Sequence, residues 1–182
     1  MIGNERNRSY NHIRMAHPME NDTLRLVPLT EEMIDALLCS DEAFYQRFRL
    51  INQGDEFLTP SKEYLLKEKL RMKQHPEEFP FTADYLIVLK DTSTVIGSID
   101  FKYPVKDGVT DIGYGMNKAY EGHGYMTMAV RLMLAYAREH GVKEVHADTD
   151  IDNVKSQNVL ARCGFSQVGQ DAKLRYFSLK LS

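Results

Sequence analysis

Cysteine is scarce: Cys39 and Cys163 are the two among 182 residues. Two thiols make no disulfide framework. Each reads better as a small buried apolar residue than as a disulfide partner or nucleophile, which suits a reducing compartment. No apolar run approaches the roughly 20 residues a membrane span needs, and the first residues carry no secretory pattern. A cytoplasmic protein without a membrane partner is therefore expected. Charge of one sign is not in excess either. The 23 basic and 26 acidic residues leave a net charge of −3, which lacks the basic footprint of a nucleic-acid binder. The six histidines have no ligand spacing with cysteine or with each other, so no metal is expected. The phosphate loop G-x-x-x-x-G-K-[ST] is missing, and no third glycine completes a dinucleotide fingerprint. There is no Ser-His-Asp or Cys-His pattern, no internal repeat, no low-complexity tract and no linker.

What is present is ordinary for a globular chain: 43% hydrophobic and 27% charged residues, in a length that suits one domain able to bury a core. Residues 1–21 are polar without periodicity and read as a flexible arm; residues 22–182 read as a single domain. Thr23 to Pro28 alternates as a strand. Thr30 caps a helix with Met33, Ile34, Leu37 and Leu38 on one stripe, and a short helix follows from Asp41 to Arg49. Ile51 to Thr59 reads as a loop. Lys62 to Gln74 reads as a helix with an apolar face of Tyr64, Leu65, Leu66, Leu70 and Met72, stopped at His75-Pro76. Tyr85–Leu89 and Val95–Tyr103 form a hairpin around Asp91-Thr-Ser-Thr94. Lys106-Asp-Gly108 turns into a strand at 109–116. The last strands are 165–169 and 174–181.

The centre of the chain is Thr110-Asp-Ile-Gly-Tyr-Gly-Met-Asn-Lys-Ala-Tyr-Glu-Gly-His-Gly-Tyr-Met-Thr-Met-Ala129. Ile112, Tyr114 and Met116 alternate as in a strand. Two glycines then bracket His123, and a largely buried helix runs from Tyr125 to His140, with Gly141 its stop. A helix N-terminus presents unpaired N–H groups and partial positive charge, so it can hold an anion. After a strand at 142–150, Asn153 caps a short helix with Ser156 at its third position. Ser156, Val159, Leu160 and Cys163 share one face of that helix, and Gly164 ends it.

Three groups of residues together resemble the GNAT N-acetyltransferase superfamily, most closely its ribosomal-protein-alanine and spermidine acetyltransferase-like branch. They are Ile112-Gly-Tyr114, Tyr120-Glu-Gly-His-Gly-Tyr-Met-Thr127, and Asn153-x-x-Ser156 ending in Gly164-Phe165. The likeness covers about residues 22–180. Within the family's pyrophosphate signature, Gly124 matches strictly, Glu121 replaces an arginine or glutamine, and Met126 replaces a small residue. The resemblance implies an α+β fold in the order β-α-α-β-β-β-α-β-α-β-β, with a mixed, mostly antiparallel sheet flanked by helices. It also implies that two central strands, 109–116 and 143–150, splay at one end around the cofactor.

The resemblance further implies acetyl-coenzyme A as co-substrate and a primary amine as acceptor, either a small molecule or a protein N-terminus. A homodimer is left open. Gly122, His123, Gly124, Tyr125, Met126 and Thr127 are the expected phosphate cradle, with Lys118, Lys155 and Arg162 as added charge. Gly115, Met116 and Asn117 are expected to pair with the pantetheine amides, and Asn153 to touch pantetheine or a water. Asp111 is the first candidate base, with Asp148 and Asp150 as alternatives. Ser156 is the candidate donor to the leaving thiolate. Direct attack needs no enzyme nucleophile. A second reading, a coenzyme-A-binding sensor with weak catalysis, rests on Glu121.

Overall fold

The computed structural model describes residues 19–52, 60–79 and 81–181. The alternating apolar runs become strands and the capped amphipathic runs become helices. The order is β1 (Leu24–Pro28), α1 (Glu31–Cys39), α2 (Asp41–Phe48), α3 (Lys62–Gln74), β2 (Asp84–Leu89), β3 (Val95–Phe101), β4 (Val109–Met116), α4 (Tyr125–Glu139), β5 (Glu144–Asp150), α5 (Val154–Arg162), β6 (Ser166–Gln170) and β7 (Leu174–Lys180). The three helices read from the sequence between the first two strands are all present, one more than in the order that the family likeness implies. The middle one stands alone because Ser40 both ends α1 and caps α2, accepting from Ala43 N at 3.0 Å. Arg49 closes α2 in the left-handed conformation.

The strands form one seven-stranded sheet in the order β1-β2-β3-β4-β5-β7-β6. Every neighbouring pair is antiparallel except β4 with β5. The mixed, mostly antiparallel sheet expected from the sequence is thus the one present. One face packs Tyr85, Ile99 and Ile112 against Val130, Met133 and Ala137 of α4. The other packs Leu86, Val88 and Val95 against Met33 and Ile34 of α1, Phe44 of α2 and Leu65 of α3.

Two expectations are corrected here. Met19, assigned to the arm, is buried in the core, and its carbonyl accepts from Leu26 N at 2.8 Å. Residues 1–18 of that arm and 53–59 of the loop at 51–59 lie outside the described residues. In α3 the apolar face is only partly the one expected: Leu65 is buried and Met72 packs on the core, but Leu66 and Leu70 are 57% and 55% exposed. The inward positions are Leu65 and Glu68. Glu68 is tolerated there because the Arg71 guanidinium pairs with it; burial nevertheless raises its pKa, against the pull of Arg71.

β3 and β4 approach closely at Gly97, which pairs with Met116. A Cβ at 97 would overlap the Gly115 carbonyl oxygen, a backbone atom that cannot swing away. Gly97→Ala should therefore destabilise the fold by about 2 kcal/mol, as overpacking does. Urea unfolding checks it, and an unchanged midpoint would show that the strands can part at no cost.

Candidate functional site

The parallel pairing of β4 with β5 is short. Val109, Thr110 and Asp111 face Glu144, Val145 and His146, and the register ends there. Beyond it β4 stays bonded to β3, through Gly97↔Met116 to Phe101↔Ile112. β5 stays bonded to β7 as far as Asp150↔Leu174. Between them, Ile112–Met116 and Ala147–Asp150 diverge and leave a wedge. Backbone N–H and C=O groups facing a wedge need partners, and an extended chain carrying amides can supply them.

The N-terminus of α4 opens onto the same wedge. Gly122 and Gly124 both have φ of +81°, a left-handed conformation that lets the chain turn into the helix without a side chain in the way. Gly124 is the N-cap and contributes no side-chain hydrogen bond. The N–H groups of Tyr125, Met126 and Thr127 have no intrahelical acceptor, so they and the helix dipole face outward. A cavity of about 700 Å³ lies at this point, lined by Gly115, Met116, Gly122, Gly124, Tyr125, Met126, Thr127 and Asn153. Lys118, Lys155 and Arg162 stand at its rim. Glu121 is also there, and its carboxylate is ion-paired with the Lys155 ammonium. That pairing offsets the charge that Glu121 brings to the cradle.

α5 supplies the other wall. Asn153 Oδ1 accepts from Ser156 N at 3.1 Å, the N-cap bond expected from the sequence. Ser156 Oγ lies 2.9 Å from Tyr114 Oη, and Tyr114 Oη lies 3.3 Å from the Ser156 carbonyl. This pair bridges β4 to α5. Burial pushes the Tyr114 hydroxyl up to about 12, although its bond to Ser156 works the other way. The hydroxyl thus stays protonated at physiological pH. A second, smaller cavity of about 220 Å³ adjoins Tyr114, Ser156 and Asn153 and is also lined by Gly113, Asp148 and Asp150.

The structure brings Ser156 and most of the expected cofactor residues together, but not all of them. Asn117 is buried and serves as a cap: its side chain accepts from Ala119 N at 2.9 Å and starts a 3-10 turn at Lys118–Tyr120. His123 does not line the cavity; its ring stacks on Tyr125 at 5.6 Å. Asp111 lines neither cavity. It sits at the last paired position of β4, opposite His146, at the closed end of the wedge. Asp148 and Asp150 do line the smaller cavity, and Asp148 meets Lys102 Nζ at 2.6 Å. Tyr114 was named in the sequence only as part of a motif. Its place at i+1 from a strand glycine gave no hint of the Ser156 contact, which spans 42 residues. Among the described residues, His75, Glu77 and Glu78 bring possible ligand atoms within 4.8 Å of one another on an exposed turn, far in sequence from this site. No helix among them is long and apolar enough to cross a membrane.

An anion-holding helix start beside a strand edge with free amides defines a site for a long ligand with a phosphorylated end. The comparisons agree with that geometry. The family described as acetyltransferase (GNAT) domain matches residues 23–166. The chain is 26% identical over 159 residues to the Bacillus subtilis (strain 168) protein named "Probable N-acetyltransferase YjcK", covering 83% of this chain and 84% of that one. Among solved structures, the ribosomal-protein-S5-alanine acetyltransferase of Vibrio fischeri superposes with a TM-score of 0.65 at 16% identity, over 90% of this chain and 96% of that one. RimL, a ribosomal L7/L12 alpha-N-protein acetyltransferase solved with coenzyme A, gives 0.65 at 19%, over 91% and 98%. At such identities the superpositions establish the fold. The chain belongs to the GNAT family and is an acetyl-coenzyme-A-dependent N-acetyltransferase.

The cap of α5 can be tested alone. Asn153→Ala removes one hydrogen bond to a helix N–H and should cost about 1 kcal/mol of stability. Thermal unfolding without ligand measures it. A variant as stable as the wild type would mean that the end of α5 is held by packing instead.

Proposed function

We propose that the protein transfers an acetyl group from acetyl-coenzyme A to a primary amine by direct attack within the wedge between β4 and β5. One observation carries the reading: a strand edge with unpaired amides and an uncapped helix N-terminus open on the same cavity. When bound, acetyl-coenzyme A supplies an acetyl thioester whose carbonyl carbon an amine can attack, with a thiol released. The residues fit that ligand. The N–H groups at 124–127 and the Thr127 hydroxyl hold its phosphates, with Lys118, Lys155 and Arg162 adding positive charge at the rim. The edge of β4 at Gly115 and Met116 pairs with its pantetheine amides as an added strand would, and Asn153 borders the same channel.

Ser156 donates a proton toward the sulfur as the thiol leaves. Tyr114, hydrogen-bonded to it and kept protonated by burial, renews that proton. The acceptor enters from the side of the smaller cavity. Structural neighbours of this chain are named for acting on ribosomal proteins, one of them on the N-terminal serine of L7/L12. A protein N-terminus and a small amine both fit the reading. The sensor alternative rested on Glu121; with that carboxylate paired to Lys155, no observation favours it.

Two outcomes are expected. Acetyl-coenzyme A should raise Tm by mass action, and Gly124→Val, which forces a β-branched residue to positive φ, should abolish most of that shift. No shift at millimolar cofactor would sink the reading. Thiol release should be measured over peptides with free N-termini, polyamines, amino acids and aminoglycosides. On the best acceptor, Ser156→Ala and Tyr114→Phe should each lower kcat by roughly tenfold while the Kd for cofactor holds, because the donor matters chiefly in the transition state. Full kcat in both variants would assign the pair a purely structural role.

A further inference from the structure

The sheet face opposite α4 carries charge where the wedge begins, just past the last β4–β5 pair. Asp100 of β3 pairs with Gly113 of β4, and Gly113 lines the smaller cavity. A Cβ on residue 113 would stand 3.1 Å from Asp100 Oδ1 and 3.2 Å from Lys102 Cε. Gly113 thus brings the Asp100 carboxyl within one residue's width of the cavity; Asp100, like Asp111, is not itself in either lining, and the Lys102 side chain lies beside it over Gly113. Lys102 spans the gap to Asp148 on β5, so three strands converge on this point. Asp148 is committed to that ammonium. Asp111 shares the face but sits two residues further toward the paired end. Among the described residues, the Asp100 carboxyl has no hydrogen bond or ion pair.

We propose that Asp100, rather than Asp111, is the base that takes the proton from the acceptor's ammonium. This assignment rests on the direct-attack reading given above. The ammonium gives one proton to the Asp100 carboxylate, which returns it to solvent. The freed lone pair forms the N–C bond to the acetyl group, and the C–S bond breaks with its electron pair going to sulfur. The nitrogen then loses its second proton to water and the sulfur gains one through Ser156, so that one proton is released to solvent overall. Charge and protons balance with no further reactant.

The surroundings suit the role. Burial first, and then Asp84 of β2, push Asp100 up to about 7, while Lys102 just beyond β3 and Arg71 of α3 pull it down and Glu68 of α3 adds a smaller push. Tyr64 of α3 faces the same cluster and donates to Asp84 at 2.8 Å; Asp111 of β4 and Asp148 of β5 complete the charged groups around it. A base serves best when its pKa lies near the working pH. The sign for stability is opposite to that for activity. A folded pKa above the ordinary carboxylate value favours the neutral form, so its stabilising effect is full below about pH 4 and is lost as pH rises through about 7.

The test compares wild type, Asp100→Asn and Asp84→Asn over pH 5 to 9. Wild-type kcat/KM should rise with pH through about 7. Asp100→Asn should lose roughly 100-fold at neutral pH and lose that limb, with an unchanged Kd for acetyl-coenzyme A. Asp84→Asn removes a neighbouring negative charge and should move the limb to lower pH while keeping turnover. Without substrate, Asp100→Asn should melt higher than wild type above pH 7, and the gain should vanish near pH 4. A purely structural Asp100 would produce no such mirror image between stability and rate. Full turnover with an unmoved limb in Asp100→Asn overturns the assignment and leaves the transferase reading intact. A wild type that binds cofactor yet releases no thiol with any amine overturns both.

Discussion

The site depends on one interruption in the sheet. Parallel pairing of β4 with β5 stops at Asp111 and His146, and from there each strand is bonded on its outer side only. A strand edge left unpaired inside a fold is costly unless water or a ligand satisfies it. Here the edge is flanked by the start of α4 on one side and the start of α5 on the other. The Tyr114–Ser156 pair braces the two walls. Only a narrow chain that bears amides along its length and negative charge at one end matches all of those surfaces together. The chemistry of acetyl-coenzyme A has that form.

The two faces of the sheet divide the work. On the face under α4 and α5, helix N–H groups and basic side chains favour an anion. On the opposite face, Asp100 lies near Asp84, Arg71 and Lys102, and Lys102 pairs with Asp148. An amine acceptor arrives as an ammonium and must lose its charge to react. In the proposed mechanism, a carboxylate on the acceptor's side and the helix dipole on the other give each substrate the charge it needs. Gly122 and Gly124 leave the cofactor side bare, whereas a side chain at Gly113 would meet Asp100 and Lys102.

What the sequence made legible is local. The Ile112–Met116 alternation, the glycine pair before Tyr125 and the Asn153 cap each depend on neighbours within a few residues, and each stands where periodicity and capping rules put it. The mixed sheet followed from the family likeness that those motifs carry. What depends on register across strands was not legible. Asp100 and Gly113 meet because β3 and β4 pair at one register among several. Tyr114 meets Ser156 only once the strands have splayed. Asn117 and His123 lay inside the motif, yet backbone geometry turned one to a cap and the other onto Tyr125. In α3, leucine spacing suggested a face that included Leu66 and Leu70; Leu65 and Met72 of that face pack inward, with Glu68, while Leu66 and Leu70 are exposed.

Amide hydrogen exchange with and without coenzyme A tests the central claim most directly, since it reads the strand edge and the helix start themselves. The account predicts slower exchange at 112–116 and at 124–127, with no change along β6 at the far edge of the sheet. Protection confined to other elements, with the amides of β4 and the first turn of α4 exchanging as fast as before, would contradict it.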